Sequence, residues 1–248
     1  MEPFKDFYNK QQRPGCGFFP GGFKPPHAGH FAAVQAILGY DAVNPETKQK
    51  ILLDGSFVSE HVYVIIGHSP RGSVNQNTSW KKFKSMKNNN PEDITTAQDG
   101  MITKEMSEQV WNLYLNQGDP TIKDKVDIVI SPHASPVIGM EQQILSLDEE
   151  KFKTHTINLY AGQEDQARYQ YFVSDKFKHK IAEHKNIDPD SISIKANMLD
   201  RLGSATDARS QILRVAAQQA DTETLKQYIP PGVSVVDVLN LLKNFRER

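Results

Sequence analysis

Between Gly17 and Phe31 the chain reads GFFPGGFKPPHAGHF, and no other stretch restricts its fold as strongly. Residues 17–20 are a short apolar run that reads as a buried strand, stopped by Pro20-Gly21-Gly22. HFAAVQAIL, from His30 onward, is made of good helix formers, with Phe31, Val34 and Leu38 on one face. A strand that passes through a glycine- and proline-rich turn straight into a helix is the first half of a βαβ unit. Such units build parallel sheets.

The rest of the chain repeats that alternation. HVYVII at 61–66 is a β-branched and aromatic strand stopped by Gly67, VDIVI at 126–130 a third, TINLYA at 156–161 a fourth and SISIK at 191–195 a fifth. Between and after them TSWKKFKSM, TKEMSEQVWNLYLNQG (from Thr103, stopped by Gly118), QARYQYFVSDKFKH, GSATDARSQILRVAAQQA and VSVVDVLNLLKNF read as helices. The pattern predicts an α/β fold: a Rossmann-like, doubly wound, five-stranded parallel sheet in a single domain. Ligands are then expected at the carboxyl ends of the strands, where strand order reverses. Pro14-Gly15 sets off residues 1–14 as an N-terminal arm, and 15–248 form the domain. Within it 67–125 is irregular, with SPRGSVNQNTSW a loop and the whole segment a candidate acceptor-binding region.

At 248 residues the chain is long enough for one sizeable core. Its net charge of −1, with charges mixed along the sequence, argues against a nucleic-acid or membrane-surface binder. The local basic run WKKFKSMK at 80–87 reads as a solvated helix face. A single cysteine, Cys16, excludes an intrachain disulfide and a cysteine-based zinc site, and it suits a reducing cytoplasm. MEPFKDFYNKQQRP has no apolar targeting segment, and no apolar run approaches bilayer length. The expectation is a cytoplasmic protein with small-molecule partners, for which self-association stays open.

The turn after the first strand carries the chemistry. Gly15-Cys16-Gly17 begins like a dinucleotide-binding fingerprint, but Pro20 stands at its third glycine and these residues read as preceding the strand. The Walker-type loop is absent. His27-x-x-His30 lacks the glutamate of H-E-x-x-H and has no cysteine partner, so zinc is disfavoured and no protein-held metal is expected. Gly21, Gly22 and Gly29 instead let the backbone approach a ligand without a Cβ in the way. Phe23-Lys24-Pro25-Pro26 stiffens the loop, and the helix after it turns its free N–H groups toward the same place. Two imidazoles there can donate to phosphate oxygens and take up charge as a transition state forms.

GGFKPPHAGH resembles the signature of the H-x-G-H nucleotidylyltransferase superfamily, which includes nicotinamide-mononucleotide and phosphopantetheine adenylyltransferases and the cytidylyltransferases. The resemblance implies in-line attack of an acceptor phosphate on the α-phosphorus of a nucleoside triphosphate, with Mg²⁺ carried mainly on the substrate phosphates and pyrophosphate released. His27 and His30 would face the reacting phosphate, and Gly21, Gly22, Phe23 and Gly29 the nucleotide; Lys24, where relatives often carry Asp or Gln, either adds charge beside that phosphate or extends to solvent. The superfamily's second signature, [ST]-[ST]-T-x-[IVM]-R, is similar to Gly203-Ser204-Ala205-Thr206-Asp207-Ala208-Arg209. Ser204, Thr206 and Arg209 would then grip the leaving phosphates, although Ala205 and Ala208 depart from the pattern. Gly162 and Asp165, in YAGQED, resemble the G-x-D segment near base and ribose. LKQYIPPGVSVVDVL resembles a closing element whose job is packing. NTSWKKFKSM and ISPHASPV resemble segments of phage- and virus-encoded members.

What the resemblance implies is an adenylyltransferase using ATP, with nicotinamide mononucleotide among the candidate acceptors. A CTP-using cytidylyltransferase and a nucleotide-binding regulator without turnover are the alternatives. The R-T-x-G-I-S-T-T string of cytidylyltransferases and the K-M-S-K-S string of synthetases are both absent. The acceptor pocket is expected from 67–125 together with SPHASPVIGM at 131–140, a loop reading in which His133 faces either solvent or the pocket.

Overall fold

A computed structural model describes residues 13–44, 48–68, 71–72, 101–162, 166–199, 211 and 222–243. Its centre is a five-stranded sheet of β1 (Gly15–Gly21), β2 (His61–Ile66), β5 (Val126–Ile130), β6 (Thr156–Gly162) and β7 (Ile194–Leu199) in the order β5-β2-β1-β6-β7. All four pairings are parallel. The chain builds outward from β1 through β2 to β5, then crosses back to lay β6 on the other side of β1. Strand order therefore reverses between β1 and β6, and their carboxyl ends open the crevice where such sheets bind ligands.

Neighbouring residues on each central strand face opposite ways, and both faces are apolar. Phe19, Val64 and Tyr160 enter one core with Phe31, Val34 and Ile37 of α1 (Ala28–Ile37), Val110 and Trp111 of α2 (Lys104–Leu113), and Val238, Leu239 and Leu242 of α7 (Val235–Lys243). Phe18, Ile65 and Leu159, one residue away on each strand, enter a second core with Met140 and Ile144 of α3 (Pro136–Ser146), Phe152 of α4 (Glu149–Thr154), and Phe177 and Ile181 of α6 (Asp175–Lys185). Helices thus cover both faces, which is the doubly wound arrangement the alternation predicts.

Several boundaries differ from those read in sequence. β1 runs from Gly15 to Gly21, so Gly15-Cys16-Gly17 lies inside the strand rather than before it. A Cβ at Gly15 would meet the Val58 carbonyl oxygen at 2.4 Å and Asn158 Nδ2 at 2.5 Å. Glycine there is set by close packing, not by a dinucleotide turn. The fifth strand is Ile194–Leu199, not 191–195, because Asp188 caps a 3₁₀ turn over Pro189–Ser191 and its carboxylate accepts from the Asp190 amide at 2.9 Å. QARYQYFVSDKFKH forms two helices, α5 (Gln166–Tyr169) and α6, separated by a turn in which Ser174 precedes α6. Only 131–135 of the expected 131–140 loop is irregular, because Pro136 opens α3 at a position where its missing N–H costs nothing.

Of the irregular segment, Arg71–Gly72 and Met101–Ile102 pair as a short antiparallel ribbon of β3 and β4. Thr103 then caps α2, accepting from the Met106 amide at 3.3 Å, and a π turn over Tyr114–Gly118 ends the helix. TSWKKFKSM and GSATDARSQILRVAAQQA lie outside the described residues, apart from Gln211. Among the described residues no helix is long and apolar enough to cross a membrane.

Gly15→Ala is expected to cost about 2–3 kcal/mol of stability in urea denaturation, because the new methyl group meets backbone that cannot step aside. Gly55→Ala, where nothing lies within 4 Å of the added carbon, is expected to stay within about 0.5 kcal/mol.

Candidate active site

The turn from Gly22 to His27 sits at the carboxyl end of β1, at the strand-order reversal. It is held from three directions. The Lys24 ammonium donates to the Gly67 carbonyl just past β2, and Lys24 is only 6% exposed. The Ser107 hydroxyl, from α2, donates to the Phe23 carbonyl, and the Tyr114 hydroxyl donates to the Pro26 carbonyl at 3.1 Å. The Ala28 amide, the first of α1, donates to the Tyr228 carbonyl at 2.8 Å, which fastens the C-terminal segment to the same turn.

Phe23 adopts φ +42°, in the left-handed region that a bulky residue occupies only when its surroundings fix it. Its ring fills a slot lined by Phe19, His30 and Trp111, with centroids 5.1, 4.9 and 5.5 Å away. A Cβ at Gly21 would lie 2.5 Å from that ring. Gly21 therefore has a reason internal to the turn: it makes room for Phe23.

His27 is the N-cap of α1, a position usually filled by Ser, Thr, Asp or Asn. Its Nδ1 accepts from the Gly29 amide at 3.1 Å, while His30 Nδ1 accepts from the His27 amide at 3.3 Å. This is a capping box made of two histidines. A nitrogen that accepts carries no proton, so each neutral ring must carry its proton on Nε2. The rings lie 3.7 Å apart at 40°. His27 is 3% exposed and its buried Nε2 has no hydrogen-bond partner among the described residues. Burial pushes the His27 pKa down to about 4, and burial together with the charge of His27 holds His30 well below the ordinary imidazole value. At neutral pH the turn thus presents two uncharged Nε2–H donors.

Of the residues singled out in sequence, the structure brings Gly21, Gly22, Phe23, Lys24, His27, Gly29 and His30 together, while Gly162 ends β6 paired with Leu199 of β7. Asp165, Ser204, Thr206 and Arg209 lie outside the described residues. His133 is on the loop after β5, its carbonyl accepting from the His68 amide at 3.1 Å and its Nε2 2.8 Å from Gln142 Nε2. Sequence reading missed Ser107, Trp111 and Tyr114, whose helix was recognised but not its docking against the turn. Their signal was faint: Ser107 is a polar residue on the face that carries Val110, Trp111 and Tyr114. Among the described residues no group of three or more His, Cys, Asp or Glu side chains is arranged to hold a metal ion.

No protein-family model matches the sequence, and no curated protein matches it. Solved structures do. One is "Plasmodium falciparum nicotinic acid mononucleotide adenylyltransferase complexed with NaAD", 11% identical, covering 94% of this chain and 97% of that one with a TM-score of 0.48. The same enzyme complexed with APC is 11% identical over 95% and 97% of the two chains, with a TM-score of 0.45.

Because His27 is neutral in the fold down to about pH 4 but protonates near 6.5 when unfolded, the unfolded chain takes up more protons between those values. Stability must therefore fall as pH drops through that window, by up to about 3 kcal/mol for His27 at its lower end. His27→Asn puts a capping oxygen in place of Nδ1 and removes the imidazole. Urea denaturation at pH 7.5 and 4.5 should show a smaller acid-side loss in that variant than in the wild type.

Proposed function

We propose that this chain is a nucleotidylyltransferase, with ATP favoured as donor over CTP. An oxygen of the acceptor's phosphate attacks the α-phosphorus, and the bond to the β-phosphate breaks. Pyrophosphate leaves with the electron pair, and no covalent enzyme intermediate forms. A phosphate is already a nucleophile near neutral pH, so no strong general base is required. The work left to the protein is positioning and stabilisation of charge on the reacting phosphate.

The observation that carries this reading is the capped histidine pair at the carboxyl end of β1, with the proton of His27 on a buried Nε2 that has no partner among the described residues. A buried donor left unmatched costs free energy in the unliganded fold, and an oxygen ligand restores what is lost. Placing both Nε2–H groups at the start of α1 adds the helix's own amides and dipole, so a phosphate there meets donors from two sources. Their neutrality suits the resting site, while an arriving polyphosphate raises their proton affinity and allows positive charge to form where negative charge develops.

Ser204, Thr206 and Arg209 are proposed to hold the β- and γ-phosphates, and Gly162 with Asp165 to border the base and ribose. Magnesium would travel on the nucleotide, neutralising phosphate charge. Nicotinamide mononucleotide is the first acceptor to try.

Pyrophosphate release from ATP or CTP with Mg²⁺, measured against nicotinamide mononucleotide, phosphopantetheine, phosphocholine and glycerol phosphate, tests the proposal. Acceptor-dependent release is expected, with His27→Asn and His30→Ala each lowering kcat/KM about 10²–10³-fold. Release that survives in both variants would remove the turn from catalysis. Tight ATP binding with no release from any pair would favour the regulator reading.

A further inference from the structure

Tyr114 reaches the histidine turn at the one peptide that also serves His30. Ser107, Trp111 and Tyr114 are spaced i, i+4 and i+7, one face of α2 continued into the π turn that ends it. Tyr114 is fully buried. Its ring packs against Phe31 of α1, with centroids 5.9 Å apart, and against Trp111, 6.3 Å away. Packed on both α1 and α2, the ring has little room to turn, and its hydroxyl donates to the Pro26 carbonyl at 3.1 Å. Burial pushes the phenol well above its ordinary pKa, so the oxygen keeps the proton it donates.

The Pro26–His27 peptide is planar and trans, so its C=O and its N–H point in opposite directions. Tyr114 holds the carbonyl end. The other end is the His27 amide, from which His30 Nδ1 accepts at 3.3 Å. A bond of that length weakens readily when the donor tilts. Holding the carbonyl stops the peptide from rocking. Accepting from the phenol also polarises the peptide, which makes its N–H the better donor. The His27 ring is supported differently, because its Nδ1 accepts from the Gly29 amide.

We propose that Tyr114 is a positioning residue for His30: through the Pro26–His27 peptide, its hydroxyl fixes which imidazole nitrogen carries the proton. A neutral imidazole can hold its proton on either nitrogen, and the His27 amide on Nδ1 selects the Nε2–H form. Only that form can donate from Nε2 to a phosphate oxygen. The consequence for catalysis rests on the nucleotidyl-transfer reading above, whereas the relay from Tyr114 to His30 does not.

The test is Tyr114→Phe in the full chain, which removes the hydroxyl and keeps the ring. NMR of the backbone amides and imidazoles at pH 7.5 reads the result. The His27 amide proton is expected to move upfield. The two His30 ring nitrogens should draw together in shift as the Nδ1–H form rises to about a tenth or more of the ring. The His27 ring nitrogens should keep their wild-type separation. Ser107→Ala deletes a buried hydroxyl bond to the Phe23 carbonyl of the same turn and should leave the His30 tautomer unchanged. Equal changes at both rings, equal changes from both variants, or a His30 ring that ignores Tyr114→Phe would overturn the relay. In pyrophosphate release, kcat should fall about tenfold with the KM for ATP within about twofold, and a fall without a tautomer change would also overturn it. If Tyr114→Phe fails to fold, 3-fluorotyrosine incorporated into the wild-type chain replaces it. Its more acidic phenol donates more strongly, so the His27 amide proton should move downfield while that of Gly29 stays. No movement at His27 would overturn the proposal. A tautomer change at His30 without pyrophosphate release from any acceptor would sink the transferase reading and leave the relay standing.

Discussion

The reciprocal capping of α1 by His27 and His30 is the interaction on which the site depends. Each imidazole uses Nδ1 to satisfy a backbone amide that the first turn of a helix would otherwise leave unpaired. That bond fixes the ring's position and its tautomer together. Aspartate caps a helix equally well but carries no donor. Using histidine at both positions leaves each ring with an Nε2–H whose tautomer the cap itself fixes.

The surrounding structure keeps that arrangement rigid. Anchors reach the turn from the end of β2 through Lys24 and Gly67, from α2 through Ser107 and Tyr114, and from the C-terminal segment through Tyr228. Phe23 locks the middle by filling its aromatic slot in a backbone conformation it would not choose alone. The sheet supplies the location: β1 is central, and reversal of strand order beside it leaves its carboxyl end uncovered by a crossover. Preorganisation of this kind lets electrostatic stabilisation act without rearrangement at the moment of reaction.

Much of this was legible in the sequence, for definable reasons. HVYVII is legible to the residue because a central strand of a two-sided sheet is mostly apolar and is stopped sharply by Gly67, and VDIVI, although an edge strand, because its β-branched run is equally compact. IKANML was misplaced because β7 is an edge strand with mostly half-buried side chains, and so carries a weaker pattern than the SISI before it. PHASP looked like a loop because proline, histidine and serine punctuate loops, yet one of those prolines opens α3. HAGH was visible as a motif and its place after the first strand was right. Its capping geometry was not visible, since histidine is not a usual cap. Nor could spacing reveal that Lys24 reaches Gly67 or that Tyr114 reaches Pro26, because those contacts join elements 43 and 88 residues apart.

The most direct measurement is the ¹⁵N and ¹H NMR of the imidazoles of His27 and His30, recorded without ligand and then with ATP. The expected result is two neutral rings protonated on Nε2 in the free protein, with both Nε2–H signals shifting as ATP saturates the site. Rings protonated on Nδ1 would contradict the capping geometry. Nε2–H signals that ignore ATP while it binds elsewhere would contradict the assignment of the turn as a phosphate site.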